Sequence, residues 1–244
     1  MGTFFLTRRV QKLIIKQLGG IASVAHAVRS NREMSLRAPT ASIAEVASLS
    51  GDFNALLDEL EQRQTHLRFE NESLTHIAEH DALTNLLNRA SFERRLTAMA
   101  NDAAAHDQSF AVLYLDADQF KAINDGHGHA AGDVVLQTLA VSLKACLRSG
   151  DAAGRLGGDE FAVLLGAPSD MGSADYFMDA LHVQLLNPIT LPTGDELLLG
   201  VSCGAAVFPV DGTSAAELLR KADKAMYREK HSRRARDPSA EGVL

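Results

Sequence analysis

Apolar positions in the first 79 residues recur at helical spacing and predict helix, connector, helix. The first series predicts one amphipathic helix. Its members are Leu6, Val10, Leu13, Ile14, Ile21, Val24 and Val28. A polar connector ending at Pro39 follows, and the segment Ser42-Ile43-Ala44-Glu45 is a capping box. A capping box satisfies the first backbone N–H groups of a helix, so a second helix is predicted to begin there.

A seven-residue repeat follows in the second helix. Phe53, Leu60, Leu67 and Leu74 form one seam, and Leu57, Gln64, Asn71 and Ala78 form the alternate seam. This pattern predicts a parallel coiled coil whose polar layers set its register. The seam is short and half of its alternate positions are polar, so a single amphipathic helix lying on its own domain is the alternative.

Short apolar runs dominate the rest of the chain and predict an α/β domain. Strands are expected near 110–115, 152–156, 161–165 and 201–208. Helices are expected to start at Ser91 and Asp133, and Ser214 is expected to cap the last helix. The inward-facing positions of the first two helices are Phe92, Leu96 and Met99, then Val135, Leu136, Leu139 and Leu143. Together these elements predict a mainly antiparallel sheet covered by helices.

Composition limits the possible partners. The chain has 244 residues, of which 46% are hydrophobic, enough for one globular domain plus an appendage. Its formal net charge of −7 argues against a nucleic-acid polymer as partner. The two cysteines, Cys146 and Cys203, make no disulfide framework, which fits a reducing compartment.

The segment Gly157-Gly158-Asp159-Glu160 lies at a sharp turn between two apolar runs. Glycines accept positive φ and let a nucleotide approach the backbone. Asp159 and Glu160 supply hard oxygen ligands for a cation. By itself this segment also fits an ordinary hairpin with a polar tip.

A second acidic position follows the apolar run 110–115, which ends in Asp116 and Asp118. Mg²⁺ is bound in proteins by one or two carboxylates and takes its other ligands from water and substrate phosphates. One Asp here and one from the hairpin would therefore suffice. Taken alone, Asp-x-Asp is a common pattern and favours a solvated strand end with an Asx turn.

These segments together resemble the GGDEF family of diguanylate cyclases, from about His80 to about Arg234. Five motifs stand in the family's order: 81–89, 116–133, 155–161, 201–212 and 222–230. Asn85, Leu87 and Arg233 depart from the usual Gly, Pro and Gly of the family. The resemblance implies a palm-like sheet, as in nucleotide cyclases and polymerases.

The resemblance also implies site residues. Mg²⁺ (or Mn²⁺) would be held by Asp116, the backbone carbonyl of Ala117, Asp159 and Glu160. Guanine of GTP would be read by Asn124 and Asp133, with His129 lining the pocket, because guanine N–H groups need acceptors. Phosphates would lie against Gly157 and Gly158 and contact Lys121, Lys230 and Arg234.

The implied reaction joins two GTP into cyclic di-GMP with release of two pyrophosphates. Asp159 is the candidate base, and Arg155 is expected to assist at the catalytic turn. Because each domain holds one GTP, the symmetric product requires a homodimer. Arg148 and Asp151 match the family's product-inhibition site. The alternatives are a catalytically silent GTP or cyclic di-GMP sensor and a signalling scaffold that only docks a partner.

The front section resembles a HAMP domain, the paired-helix relay of membrane receptors. The predicted organisation is therefore a HAMP-like relay over 1–52, a coiled-coil linker over 53–79, the GGDEF domain over 80–234 and a disordered tail over 235–244. Only three apolar residues precede Arg8-Arg9, far fewer than the ~20 needed to span a bilayer. We therefore expect a soluble fragment from the cytoplasmic side of the bacterial inner membrane, without its transmembrane and periplasmic sensor part.

Overall fold

The computed structural model describes residues 2–31, 33–166 and 170–236. Within them, the side chains at 2–7, 10, 31, 71, 72 and 233–236 lie outside the description. The chain divides into two compact units, Met1–Thr75 and His76–Leu244. In the described ranges, we find no helix that is both long and apolar enough to cross a membrane.

The N-terminal unit contains helix α1 (Gly2–Asn31) and most of helix α2 (Ala44–Glu79). A small apolar core joins α1, the connector and α2, and its buried members are Ile21, Ala38 and Val46. The side chain of Asn54 bonds both backbone groups of Ala38, accepting from its N–H at 2.7 Å and donating to its carbonyl at 3.1 Å. These bonds hold the connector against the beginning of α2.

Helix α2 continues without a break across the predicted boundary at residue 52. In this single chain the three leucines of the first seam are exposed: Leu60, Leu67 and Leu74 have relative accessibilities of 48%, 63% and 67%. Leu57 is buried. The coiled coil, the HAMP assignment and the domain boundaries remain predictions.

The C-terminal unit has a five-stranded sheet of order β1-β3-β4-β2-β7. Its strands are β1 (Leu87–Asn88), β2 (Phe110–Ala117), β3 (Ala152–Gly157), β4 (Glu160–Leu165) and β7 (Val201–Phe208). A separate hairpin pairs β5 (Ile189–Thr190) with β6 (Glu196–Leu197). Only β1 and β3 pair in parallel within the described sheet. The predicted α/β fold with a mainly antiparallel sheet is confirmed.

Among the described residues of this unit, five further helices cover the sheet on both faces. They are α3 (Arg89–His106), α4 (Phe120–His127), α5 (His129–Cys146), α6 (Met171–Gln184) and α7 (Ala215–Arg236). All eight residues of β2 are buried because β2 lies between two other strands and under both layers. One core packs α5 and α6 against one face, and the other packs α3 and α7 against the opposite face.

The alternation of side chains along β2 decides where its acidic end points. Phe110, Val112 and Tyr114 belong to the core beneath α3 and α7. Since successive side chains in a strand point to opposite faces, Asp116 projects to the same side as Tyr114. The carboxylate therefore lies on the face that α7 covers.

Two helix starts differ from the prediction. Helix α3 begins at Arg89, because Asn88 is its cap and accepts from the backbone N–H of Ser91 at 3.0 Å. Helix α5 begins at His129, so Asp133 lies inside the helix and does not start it. The apolar faces of both helices were predicted correctly.

The predicted start of the last helix is confirmed. The backbone N–H of Glu217 donates to the hydroxyl of Ser214 at 3.3 Å. Helix α7 ends at Arg236, so the first two residues of the predicted tail are helical. Residues 237–244 of that tail lie outside the described residues.

Candidate active site

The strand-end aspartate and the glycine-rich hairpin meet at one edge of the sheet. Asp116 pairs with Glu160 in the β2–β4 register. The backbone N–H of Ala117 donates to the carbonyl of Asp159 at 3.2 Å. Residues opposite each other on antiparallel strands project to the same face with Cβ atoms about 4.5–5.5 Å apart. The structure therefore brings the two acidic segments together.

The hairpin turn depends on its two glycines. Gly157 and Gly158 have φ values of +148° and +52°, in the region that side chains disfavour. The ladder is irregular between Arg155 and Gly157, which marks a β-bulge. A bulge re-aims the residues beyond it, so Asp159 and Glu160 are directed by a turn that needs glycine.

The electrostatics of Asp116 favour a cation. Burial raises the pKa of the Asp116 carboxyl, the hydrogen bond from Lys230 opposes this effect, and the negative charges of Asp159 and Asp118 raise the pKa further. The ammonium of Lys230, from α7, donates directly to Asp116. Asp116 therefore lies near other carboxylates, and Lys230 is its directly bonded cation.

A Mg²⁺ ion fits this donor set. Across the described ranges, no group of three or more His, Cys, Asp or Glu side chains is arranged to hold a metal ion. Such a group is not required, because Mg²⁺ binds through one or two carboxylates and completes its shell with water and phosphate oxygens. Asp116, Glu160 and Asp159 offer those carboxylates at one edge, beside the Ala117 backbone.

Glu160 has two neighbours that the sequence did not reveal. Arg89, at the start of α3, lies 3.6 Å from the Glu160 carboxylate and donates to the carbonyl of Leu156 at 2.8 Å. Tyr114 is the second neighbour: burial raises its pKa above the usual value, and a hydrogen bond to Glu160 adds to this rise. Tyr114 precedes Asp116 by two positions, so strand alternation alone places both on one face.

Arg155 holds the turn and contacts the first family motif. Its guanidinium donates to the carbonyl of Gly158 at 2.8 and 3.0 Å. It also pairs with Asp81 at 3.1 Å, and Asp81 accepts from the hydroxyl of Thr84 at 2.7 Å. These contacts give Arg155 a structural role in the turn, and its assistance to the chemistry stays a prediction.

The predicted guanine site lies where α4 and α5 meet. The side-chain oxygen Oδ1 of Asn124 is buried and has no hydrogen-bond partner among the described residues. Gly132 packs against it so closely that a Cβ there would lie 2.0 Å from Oδ1. Asp133 and His129, also on α5, are exposed. A buried acceptor without a hydrogen-bond partner is a group that an N–H donor of guanine could satisfy.

The predicted phosphate-binding residues are placed differently from one another. Lys121 is exposed on α4. Lys230 is engaged with Asp116. Arg234 lies within α7, but its side chain is outside the described part of the molecule.

Arg148 and Asp151 form a compact turn away from the hairpin tip. The carboxylate of Asp151 accepts from the backbone N–H groups of Arg148 and Gly166, both at 2.8 Å. The guanidinium of Arg148 lies 4.8 Å from the ring centre of Tyr176. A cleft of about 130 Å³ adjoins these residues. Asp151 therefore shapes the turn, and Tyr176 is an aromatic neighbour that the sequence did not reveal.

The sheet order, the helices on both faces and the Gly-Gly-Asp-Glu hairpin beside a strand-end Asp define an α/β domain of the GGDEF type. The sequence profile of the family described as diguanylate cyclase, GGDEF domain, matches residues 78–236. This chain belongs to that family.

Two solved structures and one curated relative illustrate the likeness. The chain is 46% identical over 227 residues to the diguanylate cyclase TpbB of Pseudomonas aeruginosa, covering 93% of this chain and 52% of that protein. The isolated GGDEF domain of TpbB, also called YfiN, matches with a TM-score of 0.61 at 43% identity, covering 63% of this chain and 89% of that one. The coiled coil and GGDEF domain of DgcB from Caulobacter crescentus, in complex with c-di-GMP, match with a TM-score of 0.67 at 26% identity, covering 73% and 94%. The chain thus spans about half the length of its curated relative TpbB.

Proposed function

We propose that this chain is the catalytic part of a diguanylate cyclase that condenses two GTP into cyclic di-GMP and two pyrophosphates. The observation that carries the proposal is the pairing of Asp116 with Glu160 at the Gly-Gly-Asp-Glu turn. The relative TpbB, a diguanylate cyclase that is 46% identical over most of this chain, supports it.

The proposed substrate follows from the acceptors between α4 and α5. Asn124 Oδ1 and the Asp133 carboxylate would accept from the ring N–H and amino group of guanine. Adenine has no ring N–H at the corresponding position and would leave an acceptor unpaired. A buried unpaired acceptor costs about 1–3 kcal/mol, which favours GTP over ATP.

The proposed metal is Mg²⁺ or Mn²⁺, held by Asp116, the Ala117 carbonyl, Asp159 and Glu160. When bound, such an ion neutralises phosphate charge and lowers the pKa of a nearby hydroxyl. The proton transfer is then assigned to a side chain of the protein. Asp159 accepts the proton of the ribose 3′-hydroxyl that attacks the α-phosphorus of the second GTP.

Cationic side chains complete the proposed site. Lys230 offsets the charge of Asp116 and is proposed to contact a phosphate as well. Lys121 and Arg234 are the other proposed phosphate contacts. The glycines of the turn, Gly157 and Gly158, leave room for the nucleotide to approach the backbone.

We also propose a homodimer as the active form. Each domain would bind one GTP, so the two-fold product requires two sites facing each other. The exposed leucines Leu60, Leu67 and Leu74 support a coiled coil that would set this geometry. Control through a HAMP-like front section, and attachment to the cytoplasmic face of the inner membrane in a longer protein, belong to the same proposal.

Product inhibition is proposed at Arg148. Its guanidinium is suited to a bidentate contact with a phosphate of cyclic di-GMP. We expect Arg148→Ala to raise the inhibitory concentration of added cyclic di-GMP while leaving the initial rate unchanged. Unchanged inhibition would remove this site from the proposal.

The decisive experiment is incubation of the purified chain with GTP and Mg²⁺, with chromatographic detection of cyclic di-GMP. Asp159→Ala should lower the rate by about 10²- to 10⁴-fold, the usual contribution of a positioned base. Asp179→Ala, an exposed helical carboxylate on α6, is the matched control and should retain the wild-type rate.

The same experiment separates the alternative functions. Tight GTP binding without product would indicate a sensor, and neither binding nor product would indicate a scaffold. Rates are compared with the measured mass of the protein over a range of concentrations, because a dimer-limited enzyme follows its own dimerisation curve.

A further inference from the structure

The peptide between Ala117 and Asp118 has a fixed direction. The backbone N–H of Asp118 donates to the carbonyl of Gly200, just before β7, at 2.9 Å. In a planar trans peptide the carbonyl points opposite to the N–H. The Ala117 carbonyl therefore points away from β7 and toward the hairpin, where the N–H of Ala117 already donates to Asp159.

The side chain of Asp118 fastens this peptide to β7. One carboxylate oxygen accepts from the hydroxyl of Ser202 at 2.6 Å. Ser202 is only 1% exposed, and it pairs with Asp116 in the β2–β7 register. The bond therefore links the residue after Ala117 to the strand beside Asp116.

Gly200 makes this arrangement possible. A Cβ at Gly200 would lie 2.9 Å from the second carboxylate oxygen of Asp118. A side chain at position 200 would therefore displace the Asp118 carboxylate from its observed position. Asp118 is thus held by a backbone bond to Gly200, a side-chain bond to Ser202 and tight packing at Gly200.

We propose that Asp118 is a positioning residue that aims the Ala117 carbonyl at the cation site by bonding Ser202, and is not itself a ligand. This inference rests on the proposed function, because it gives the Ala117 carbonyl a role in holding the ion. An aspartate two residues after Asp116 would, from the sequence alone, be an equally good ligand. The bond to Ser202 turns its carboxylate toward β7 instead.

The test measures ion binding without turnover. Mn²⁺ affinity is determined by electron paramagnetic resonance in the presence of 3′-deoxy-GTP, which lacks the attacking hydroxyl. Outer-shell partners of metal ligands typically contribute about 10- to 100-fold in affinity. Asp118→Ala and Ser202→Ala should each weaken Mn²⁺ binding about 10-fold, and the double variant should be no weaker than either.

The conservative variant separates positioning from ligation. Asp118→Asn keeps an oxygen that accepts from Ser202 and should bind Mn²⁺ within about 3-fold of wild type, since the geometry survives. Gly200→Ala should resemble Asp118→Ala because its new methyl group displaces the carboxylate. Binding of 3′-deoxy-GTP without Mn²⁺ checks that each variant is folded, and should be the same in all.

Two results would overturn the positioning role. One is wild-type affinity in Ser202→Ala with losses in both Asp118→Ala and Asp118→Asn, which would make Asp118 a ligand. The other is wild-type affinity in every variant. If the wild-type chain itself binds neither Mn²⁺ nor 3′-deoxy-GTP, the proposed function fails first and this inference fails with it.

Discussion

Substitution of Gly132 by alanine should impair guanine binding while leaving the fold intact. A Cβ at position 132 would lie 2.0 Å from Oδ1 of Asn124 and 3.1 Å from the ring of Phe120. The amide is the free end of a side chain, so we expect it to rotate away from the new methyl group. Asn124 would then no longer present its acceptor to the base.

The expected magnitude follows from one lost hydrogen bond. Leaving a buried donor of the base unpaired costs about 1–3 kcal/mol, which corresponds to a loss of about 5- to 150-fold in GTP affinity. Stability should change little. Alanine gains about 1 kcal/mol over glycine inside a helix, and forcing a side chain off its preferred rotamer costs a similar amount.

Gly126→Ala is the matched control. Gly126 lies in α4, two residues from Asn124, and a Cβ there meets no atom within 4 Å. This variant should gain up to about 1 kcal/mol of stability through helix propensity and bind GTP as the wild type does. Calorimetric titration with GTP and urea unfolding measure the two quantities.

A second nucleotide tests whether the loss arises at the base. ATP should bind equally weakly to the wild type and to Gly132→Ala, because it makes no use of the Asn124 acceptor. Equal GTP affinity in Gly132→Ala and wild type, or a parallel loss for GTP and ATP, would refute the assignment of Asn124 to guanine recognition.

Two further predictions concern the stability of the C-terminal unit. Burial opposes ionisation of the Asp81 carboxyl, but hydrogen bonds from Thr84 and Arg155 outweigh burial and lower its pKa. The ionised carboxylate therefore stabilises the fold above its unfolded-state pKa of about 4. This stabilisation is lost as pH falls through the lowered pKa of the folded state. Asp81→Asn should therefore cost about 1–2 kcal/mol in urea unfolding at pH 7 and less in acid, whereas an equal cost at both pH values would contradict the charge effect. Gly204→Ala places a Cβ 2.1 Å from the backbone nitrogen of Met226 in α7, where neither backbone yields easily. The substitution should lower the free energy of unfolding by about 3 kcal/mol. An unchanged unfolding midpoint would show that α7 does not pack this closely on β7.

The strands were the most predictable part of the fold. Short, mostly apolar runs predicted all four long strands of the described sheet, because a strand covered on both faces is largely apolar. The runs at 110–115 and 161–165 are uninterrupted, whereas β3 contains Arg155 and β7 contains Ser202. Helix starts were less accurate. Asn88 caps α3, and the turn at Gly128, with φ of +82°, begins α5, whereas the apolar periodicity of each helix starts only after its first turn.

The local chemistry of the site was also encoded in the sequence. Two glycines followed by two carboxylates specify a turn that side chains would obstruct and that carries oxygen ligands, and an acidic residue ending a buried strand must lie at a sheet edge. The turn and the acidic strand end depend only on residues that are adjacent in the chain. They could therefore be predicted from the sequence.

Which residues pair over long distances in the chain was decided by the tertiary structure alone. Arg155 pairs with Asp81 across 74 positions, and Asp118 accepts from Ser202 across 84. Both carboxylates belong to motifs that the sequence revealed, yet nothing local shows that one holds a turn and the other faces β7. Strand order and register set which side chains meet, and these are fixed by the packing of the whole sheet between its helices.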